Sequence, residues 1–155
     1  VTACETLARR VVTALDGVGI FGIEFFLDRT GRVLINEISP RPHNSGHYTI
    51  EACATSQFEQ HLRAVTNLPL GPTHLLHAAA SFNLLGEPQA FGAPRYHGLD
   101  DVARQPGVAV HLYGKLSVKP YRKMGHVTVT GDSGSDAADK ARRLQQVIKV
   151  GGSGR

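Results

Sequence analysis

The sequence has 155 residues, of which 41% are hydrophobic and 19% are charged, enough for one ordinary domain or two small lobes. No apolar run is long enough to cross a bilayer, so a membrane protein is not expected. Seventeen basic and 13 acidic residues give a net charge of +4 with His neutral, but the basic residues form no run and aromatic residues make up 6%. This composition argues against a nucleic-acid-binding surface and favours a phosphate-rich small ligand.

The start of the chain and its two cysteines point to a cytosolic protein. Val1-Thr2-Ala3 has neither the basic head nor the apolar segment of a signal peptide. The missing initiator Met suggests that the chain is cut from something longer. Cys4 and Cys53 belong to no CxxC pair, so we expect two free thiols, with one disulfide as the alternative.

The first third of the chain predicts a helix followed by a β-hairpin. Apolar residues recur every four positions over 2–16, which is typical of an amphipathic helix, and two glycines follow it. Residues 20–27 and 32–39 are rich in Ile, Val and Phe and read as two strands. The segment 28–31 between them, Asp-Arg-Thr-Gly, predicts the hairpin turn, with Leu27 facing Arg32.

A proline-rich loop and a second helix follow the hairpin. Residues 40–47 contain two prolines and a glycine, which predicts a loop. A helix is expected over 57–67, because Ser56 and Glu59 form a capping-box pattern. Its predicted apolar face consists of Phe58, Leu62 and Val65.

The remainder of the chain predicts a small β-rich lobe. Strands are expected at 74–85, 108–115 and 125–131, a loop at 86–95, a helix at 136–150 and a disordered tail at 151–155. The fold class is therefore mixed α/β (α+β), an antiparallel sheet with packed helices plus a β-rich C-terminal lobe. The predicted boundaries are 1–72, 73–150 and 151–155, with the break near Pro72.

Two carboxylates inside the hairpin strands carry the first functional hypothesis. Glu24 and Glu37 each lie within an apolar run, where a carboxylate costs several kcal/mol of desolvation unless something compensates it. With Glu24 facing Ile35, the two carboxylates become diagonal neighbours on one face, about 7–8 Å apart at Cα. Oxygen ligands of this kind suit magnesium held together with nucleotide phosphates.

Other interpretations of this pair stay open at the level of sequence. Each Glu can instead pair with a nearby Arg or face solvent on an edge strand. A register slip of one residue would place the two side chains on opposite faces.

Polar residues of the loop that follows offer an anion site. Arg41 can bind phosphate oxygens in bidentate fashion beside the metal. His43 can donate a hydrogen bond to an anionic substrate, and Asn44 with its neighbours can add further donors. The alternatives are a zinc pair of His43 and His47, against which the prolines and the lack of a third ligand argue, and a turn that bonds only to itself.

A second basic cluster lies late in the chain, in a stretch with few acidic residues. It is ordinarily interpreted as a solvated surface loop, and the alternative is binding of phosphate or carboxylate. Its members are Lys115, Lys119, Arg122, Lys123 and His126.

Together these motifs resemble N5-carboxyaminoimidazole ribonucleotide synthase, an ATP-grasp family of purine biosynthesis. The resemblance rests on Gly-Ile-Glu-Phe-Phe at 22–26 and on Asn-Glu-Ile-Ser-Pro-Arg-Pro-His-Asn-Ser-Gly-His at 36–47. It continues through 55–64, 82–86, 111–115 and 122–126 and covers about residues 1–150 in motif order. It implies that this chain is the C-terminal half of such an enzyme, with residues 1–72 as the C-terminal part of the ATP-grasp domain.

The resemblance implies a reaction and its cofactors. ATP, bicarbonate and 5-aminoimidazole ribonucleotide would give N5-carboxyaminoimidazole ribonucleotide, ADP and phosphate, through a carboxyphosphate. It also implies a cytoplasmic ligase that is a homodimer at full length and that uses Mg²⁺, or Mn²⁺ in its place. Because the α/β domain and lid of the family are absent from this sequence, we expect the isolated chain not to turn over ATP.

The resemblance also implies roles for individual residues. Glu24 and Glu37 would hold the metal on the ATP phosphates, with Asn36 as a further nucleotide-binding residue. Arg41 and His43 would act at the γ-phosphate and bicarbonate. The remaining implied roles are positioning of bicarbonate by Asn44 and contact with the ribonucleotide phosphate by Lys115 and Arg122.

Departures and competitors remain. Ser39 stands where many ATP-grasp enzymes carry a metal-binding Asn. A formate-dependent glycinamide ribonucleotide transformylase shares a similar segment, but residues 43–47 and 113–126 favour the carboxylating enzyme. The non-enzyme alternatives are a phosphate-binding fragment and one half of a split enzyme.

Overall fold

The computed structural model describes residues 1–154, which divide into two compact units. The first is Val1–His74 and the second begins at Leu75. The division lies two residues beyond the predicted break at Pro72, and the assignment of each unit to a named domain stays a prediction. No helix within the described range is both long and apolar enough to cross a membrane.

The first unit contains a long helix, a hairpin and two shorter helices. A 3₁₀ turn, Asn44–Gly46, lies within the segment predicted to be a loop. The elements are α1 (Thr2–Ala14), β1 (Gly22–Leu27), β2 (Val33–Ser39), α2 (Thr49–Ala52) and α3 (Gln57–Val65).

The turn of the hairpin differs from its prediction by one residue, so the predicted register is wrong. Leu27 lies opposite Val33, not Arg32. The reason is the Asp28 side chain, whose Oδ1 accepts the backbone N–H groups of Thr30 and Arg32 at 2.9 Å each. Five residues, 28–32, therefore separate Leu27 from Val33 in place of the predicted four, with Gly31 at φ +84°, and every pair along the ladder shifts.

Helix α3 has the predicted cap but not the predicted buried face. Ser56 Oγ accepts the Glu59 N–H at 3.2 Å, as the capping pattern requires. The apolar side chains expected to be buried, those of Phe58, Leu62 and Val65, are instead exposed. The helix buries two glutamines, Gln57 and Gln60, each 7% exposed.

The second unit is built around an antiparallel sheet of order β3-β6-β5. Its strands are β3 (Ala78–Leu85), β5 (Val108–Leu112) and β6 (Lys123–Gly131), with α5 (Gly134–Val147) packed on β3 and β6. Its apolar core includes Met124, Val127 and Val129, all fully buried. The short helix α4 (Leu99–Ala103) adds Val102 to that core.

A second, two-stranded sheet replaces the predicted helix end and disordered tail. β4 (Pro94–His97) pairs antiparallel with β7 (Lys149–Gly152). The helix expected to run to residue 150 ends at Val147, because Val150 is buried at 1% exposure in the core and pairs with Tyr96. Of the predicted tail, residues 151 and 152 are strand, and residue 155 lies outside the described residues.

Candidate functional site

A β-bulge in the hairpin brings three polar side chains to one place. The register shifts between Glu24 and Phe25, so that Glu24 lies directly opposite Glu37 and Asn36 has no partner of its own. The expected diagonal arrangement is therefore wrong: the two residues are direct partners, with Cβ atoms about 4.5–5.5 Å apart. Since directly opposite residues share a face of the sheet, both carboxylates project from the same side.

Two neighbours orient these carboxylates. The Asn36 amide donates to Glu24 Oε2 at 3.3 Å, and the Ser39 hydroxyl donates to Glu37 Oε1 at 2.8 Å. Ser39 is buried, whereas the side chains of Glu24 and Glu37 are 41% and 54% exposed. The carboxylates thus keep much of their hydration and are accessible to a ligand from solvent. The free-energy cost of desolvation expected from the sequence therefore does not arise.

The imidazole of His43 lies between the two carboxylates. Its Nδ1 is 3.8 Å from Glu24 Oε1 and its Nε2 is 3.9 Å from Glu37 Oε1, distances too long for hydrogen bonds. The ring comes this close because Gly22, two residues before Glu24 on the same face of β1, has no side chain. A Cβ at position 22 would lie 2.5 Å from His43 Cβ.

The turn after His43 sets the orientation of its ring. The Ser45 hydroxyl lies 2.9 Å from Nδ1, and the Ser45 backbone N–H points at the same atom from 3.5 Å. These contacts favour Nδ1 as the acceptor and place the proton of the neutral ring on Nε2. Nε2–H, on the side of Glu37, is then the group that can donate to an anion.

The other predicted residues of this loop have different surroundings. The exposed Arg41 donates from Nη1 to the Pro42 carbonyl at 3.0 Å. Asn44 begins the 3₁₀ turn, and its carbonyl accepts the His47 N–H at 3.1 Å. The structure therefore brings together Glu24, Glu37 and His43, and it does not place the Arg41 guanidinium against them.

Lys115 and Arg122 belong to the second unit. Lys115 Nζ donates to the Lys123 carbonyl at 2.5 Å and lies 5.4 Å from the centre of the Tyr113 ring. Arg122 Nη1 donates to the carbonyl and the hydroxyl of Ser117 at 3.0 and 3.2 Å. Both cations thus lie on the segment, residues 113–122, that joins β5 to β6.

His126 does not belong to a solvated basic cluster, contrary to one interpretation of the sequence. It is 3% exposed, because its strand β6 is the middle strand of the sheet. Its ring stacks on that of His111, with centroids 4.5 Å apart, and its Nδ1 lies 3.1 Å from the Tyr113 hydroxyl.

The donor set of the hairpin fits a hard divalent cation that takes part of its coordination from another molecule. The two carboxylates offer oxygen atoms, the kind of ligand that Mg²⁺ prefers. Within residues 1–154, no group of three or more His, Cys, Asp or Glu side chains could hold a metal ion. Because two carboxylates leave most coordination positions of Mg²⁺ to other ligands, the arrangement suits a cation shared with phosphate oxygens.

Sequence reasoning missed two residues of this site. Ser39 enters the sequence prediction only as a departure from a metal-binding Asn, although its position two residues after Glu37 places both on one face of a strand. Gln57, whose side-chain amide bonds to the His43 backbone, enters the sequence prediction only as the first residue of a helix with an apolar face. No sequence signal marks its contacts, which depend on the path of the loop 43–47.

Comparison with known proteins agrees with this architecture. Residues 1–58 match the ATP-grasp domain family, and residues 79–140 match the phosphoribosylaminoimidazole carboxylase C-terminal domain family. The hairpin with its carboxylates lies in the first match, and Lys115 and Arg122 lie in the second. The fold and the two family matches thus define a segment of an ATP-grasp protein.

Individual relatives narrow this class. The chain is 48% identical, over 82% of its length, to a chloroplastic phosphoribosylaminoimidazole carboxylase of Vigna aconitifolia, of which it covers 23%. The crystal structure of N5-carboxyaminoimidazole ribonucleotide synthetase from Thermotoga maritima matches 98% of this chain at 53% identity, with a TM-score of 0.92 over 42% of that protein. An Aspergillus clavatus N5-carboxyaminoimidazole synthase, in complex with ADP and 5-aminoimidazole ribonucleotide, matches 94% at 36% identity and a TM-score of 0.80, over 39% of its chain.

The chain belongs to the N5-carboxyaminoimidazole ribonucleotide synthase family of ATP-grasp proteins. It spans 23% to 38% of the length of the first curated relatives that it matches. The predicted fold class, mixed helix and antiparallel sheet with ATP-grasp neighbours, is confirmed.

Proposed function

We propose that this chain is part of an enzyme that uses ATP and bicarbonate to carboxylate 5-aminoimidazole ribonucleotide to N5-carboxyaminoimidazole ribonucleotide. The observation that carries the proposal is the convergence of Glu24, Glu37 and His43 on one face of the hairpin. Family membership supports the substrates, since the Aspergillus clavatus relative has ADP and 5-aminoimidazole ribonucleotide bound. The match to the carboxylase C-terminal domain favours this reaction over a formate-dependent one.

In this proposal the hairpin holds Mg²⁺, or Mn²⁺ in its place, against the nucleotide. Glu24 and Glu37 are the metal ligands, and Asn36 orients Glu24 while it faces the nucleotide. Ser39 fixes the rotamer of Glu37 through its hydrogen bond. When bound, the cation would neutralise charge on the transferring phosphoryl group.

The loop after β2 supplies donors for the anions of the reaction. His43 Nε2–H lies on the side of Glu37, 3.9 Å from Oε1, where it can donate to a γ-phosphate or bicarbonate oxygen. Arg41 is exposed and holds only one carbonyl, so a rotamer change can bring its guanidinium to an anion. Asn44, at the start of the same turn, is proposed to position bicarbonate.

Lys115 and Arg122 are proposed to bind the phosphate of the ribonucleotide. Both carry their positive charge at the segment joining β5 to β6, where they donate to carbonyl or hydroxyl oxygens. A dianionic phosphate competes well for such donors, because hydrogen bonds between charged groups are about twice as strong as neutral ones.

The metal assignment is tested by nuclear magnetic resonance with Mn²⁺ and ADP. We expect selective paramagnetic broadening of the backbone signals of residues 24, 36 and 37, and its loss in Glu24→Gln and Glu37→Gln. Glu59→Gln is the matched control, since Glu59 lies in the same unit and pairs with Arg63 on α3. Equal broadening in all three variants would contradict the assignment.

The activity is tested by ADP release from the protein that contains this sequence, with each substrate omitted in turn. We expect release that needs both bicarbonate and 5-aminoimidazole ribonucleotide, and a loss of at least about 100-fold in Glu37→Gln, since such an ion contributes several kcal/mol. Release with formate and glycinamide ribonucleotide instead would reject the proposed substrates.

The assembly state and location follow from the family resemblance and stay predictions. A homodimer is expected for the protein at the length of its relatives, and sedimentation measures it. A cytoplasmic location is expected as well, and cell fractionation measures it.

A further inference from the structure

Two buried glutamines on α3 hold the backbone of two different loops. Gln57 and Gln60 are each 7% exposed, although glutamine is usually a surface residue. The oxygen of each side-chain amide accepts the backbone N–H of one residue, and its nitrogen donates to the backbone carbonyl of the same residue. That residue is His43 for Gln57 and Gly71 for Gln60. A buried amide that satisfies both of its ends this way restrains the loop that it holds.

The contacts of Gln57 fix its orientation and that of the loop. Its Oε1 accepts the His43 N–H at 2.9 Å, and its Nε2 donates to the His43 carbonyl at 2.9 Å. The same Nε2 lies 2.8 Å from His47 Nδ1. Because Oε1 is committed to the His43 N–H, the amide nitrogen is the group that meets His47, so that His47 Nδ1 accepts. One side chain thus joins both ends of the turn.

The loop also makes room for this amide. A Cβ at position 46 would lie 2.5 Å from Gln57 Oε1, so the close approach requires Gly46. The Gln57 backbone N–H donates to Thr49 Oγ1, which itself donates to the Gly46 carbonyl. The amide is therefore anchored at its own backbone as well as at its side chain.

We propose that Gln57 is a positioning residue: it holds the backbone of His43 so that the imidazole stays between Glu24 and Glu37. The amide acts on the main chain of residue 43, while Gly22 and Ser45 constrain the side chain. This inference rests on the proposed function only in treating His43 as part of the site. The geometry itself needs no ligand.

Amide hydrogen exchange tests the inference, with Gln60 as a matched control. Gln57→Met should speed exchange of the His43 amide by about ten-fold, the effect of losing one hydrogen bond, and leave the Gly71 amide unchanged. Gln60→Met should do the reverse. The unchanged Gly71 amide in Gln57→Met then separates the effect of the lost bond from any general loss of stability.

A second readout reports the position of the ring. In the parent protein, nuclear Overhauser effects are expected between the His43 side chain and the α-protons of Gly22. They should weaken at least about three-fold in Gln57→Met and persist in Gln60→Met. Unchanged His43 exchange and unchanged Overhauser effects in Gln57→Met would overturn the inference. Failure of the proposed function would show differently, as absence of Mn²⁺ broadening in the parent protein.

Discussion

A methyl group at position 22 should displace His43 from the carboxylates. An ideal Cβ at Gly22 lies 2.5 Å from His43 Cβ and 2.8 Å from its Cγ, whereas carbon atoms pack at about 3.5–4.0 Å. A gap of about 1 Å must therefore open between β1 and the loop. Gly22 is not among the residues with positive φ, so Gly22→Ala adds no backbone strain and its effect is steric.

The expected cost of Gly22→Ala is about 1–3 kcal/mol of unfolding free energy, as for other overpacked sites, measured by urea denaturation. The His43 ring signals should shift, and the Mn²⁺ broadening at residues 24 and 37 should change with them. Gly134→Ala serves as control: its Cβ meets no atom within 4 Å, and Ala in a helix is stabilising by about 0.5–1 kcal/mol. A Gly22→Ala protein as stable as the parent, with unshifted His43 signals, would refute the steric argument.

Three further predictions concern other parts of the chain. Hydrogen bonds from the Thr30 side chain and from Arg32 lower the pKa of Asp28 to about 2. Since the folded pKa lies below the unfolded value, the stabilisation of the turn is complete above about pH 4 and is lost as pH falls toward 2. A carbon-detected titration of the Asp28 carboxylate should give a midpoint at that low pH. Tyr121 has φ +59°, a left-handed conformation that glycine adopts more easily. Tyr121→Gly should therefore leave the unfolding free energy unchanged or raise it by up to about 1 kcal/mol. A clear decrease of that free energy in urea denaturation would count against strain at this residue. Met124 is fully buried in the second unit, so Met124→Ala should cost about 2–5 kcal/mol, and a calorimetric cost under about 1 kcal/mol would show that the core collapses around the cavity.

The sequence predicted the hairpin and its paired carboxylates but not the register that joins them. Alternating apolar residues identify two strands, and the Asp-Arg-Thr-Gly segment identifies the turn between them. The count of loop residues depends on the Asp28 side chain, which takes the Arg32 N–H from the backbone ladder. The bulge at Asn36 then shifts the pairing by one more residue and brings Glu37 opposite Glu24. Neither the turn nor the bulge is visible in a hydrophobic pattern.

Elsewhere, long-range contacts overrode local preference. Helical spacing predicted that α5 continues to residue 150, but the pairing of Val150 with Tyr96 and its burial end the helix earlier. The helix α3 and its cap are found as predicted, but the predicted apolar face is wrong for a similar reason, because Gln57 and Gln60 find distant backbone partners that make their burial favourable. The proposed substrates come from the family resemblance, because no local pattern of residues identifies them.

The extra residue of β2 at the bulge, Asn36, determines how the motif of Glu24, Asn36 and Glu37 could be transferred to another protein or lost. In an unbroken strand, neighbours point to opposite faces, and Asn36 and Glu37 could not both serve one nucleotide. Deleting one residue between Asn36 and the turn would shift the register, so that the Glu24 and Glu37 carboxylates no longer share a face of the hairpin. The chain would keep every residue of the motif but lose the paired carboxylates. Grafting the motif onto another hairpin therefore demands the irregularity together with the side chains.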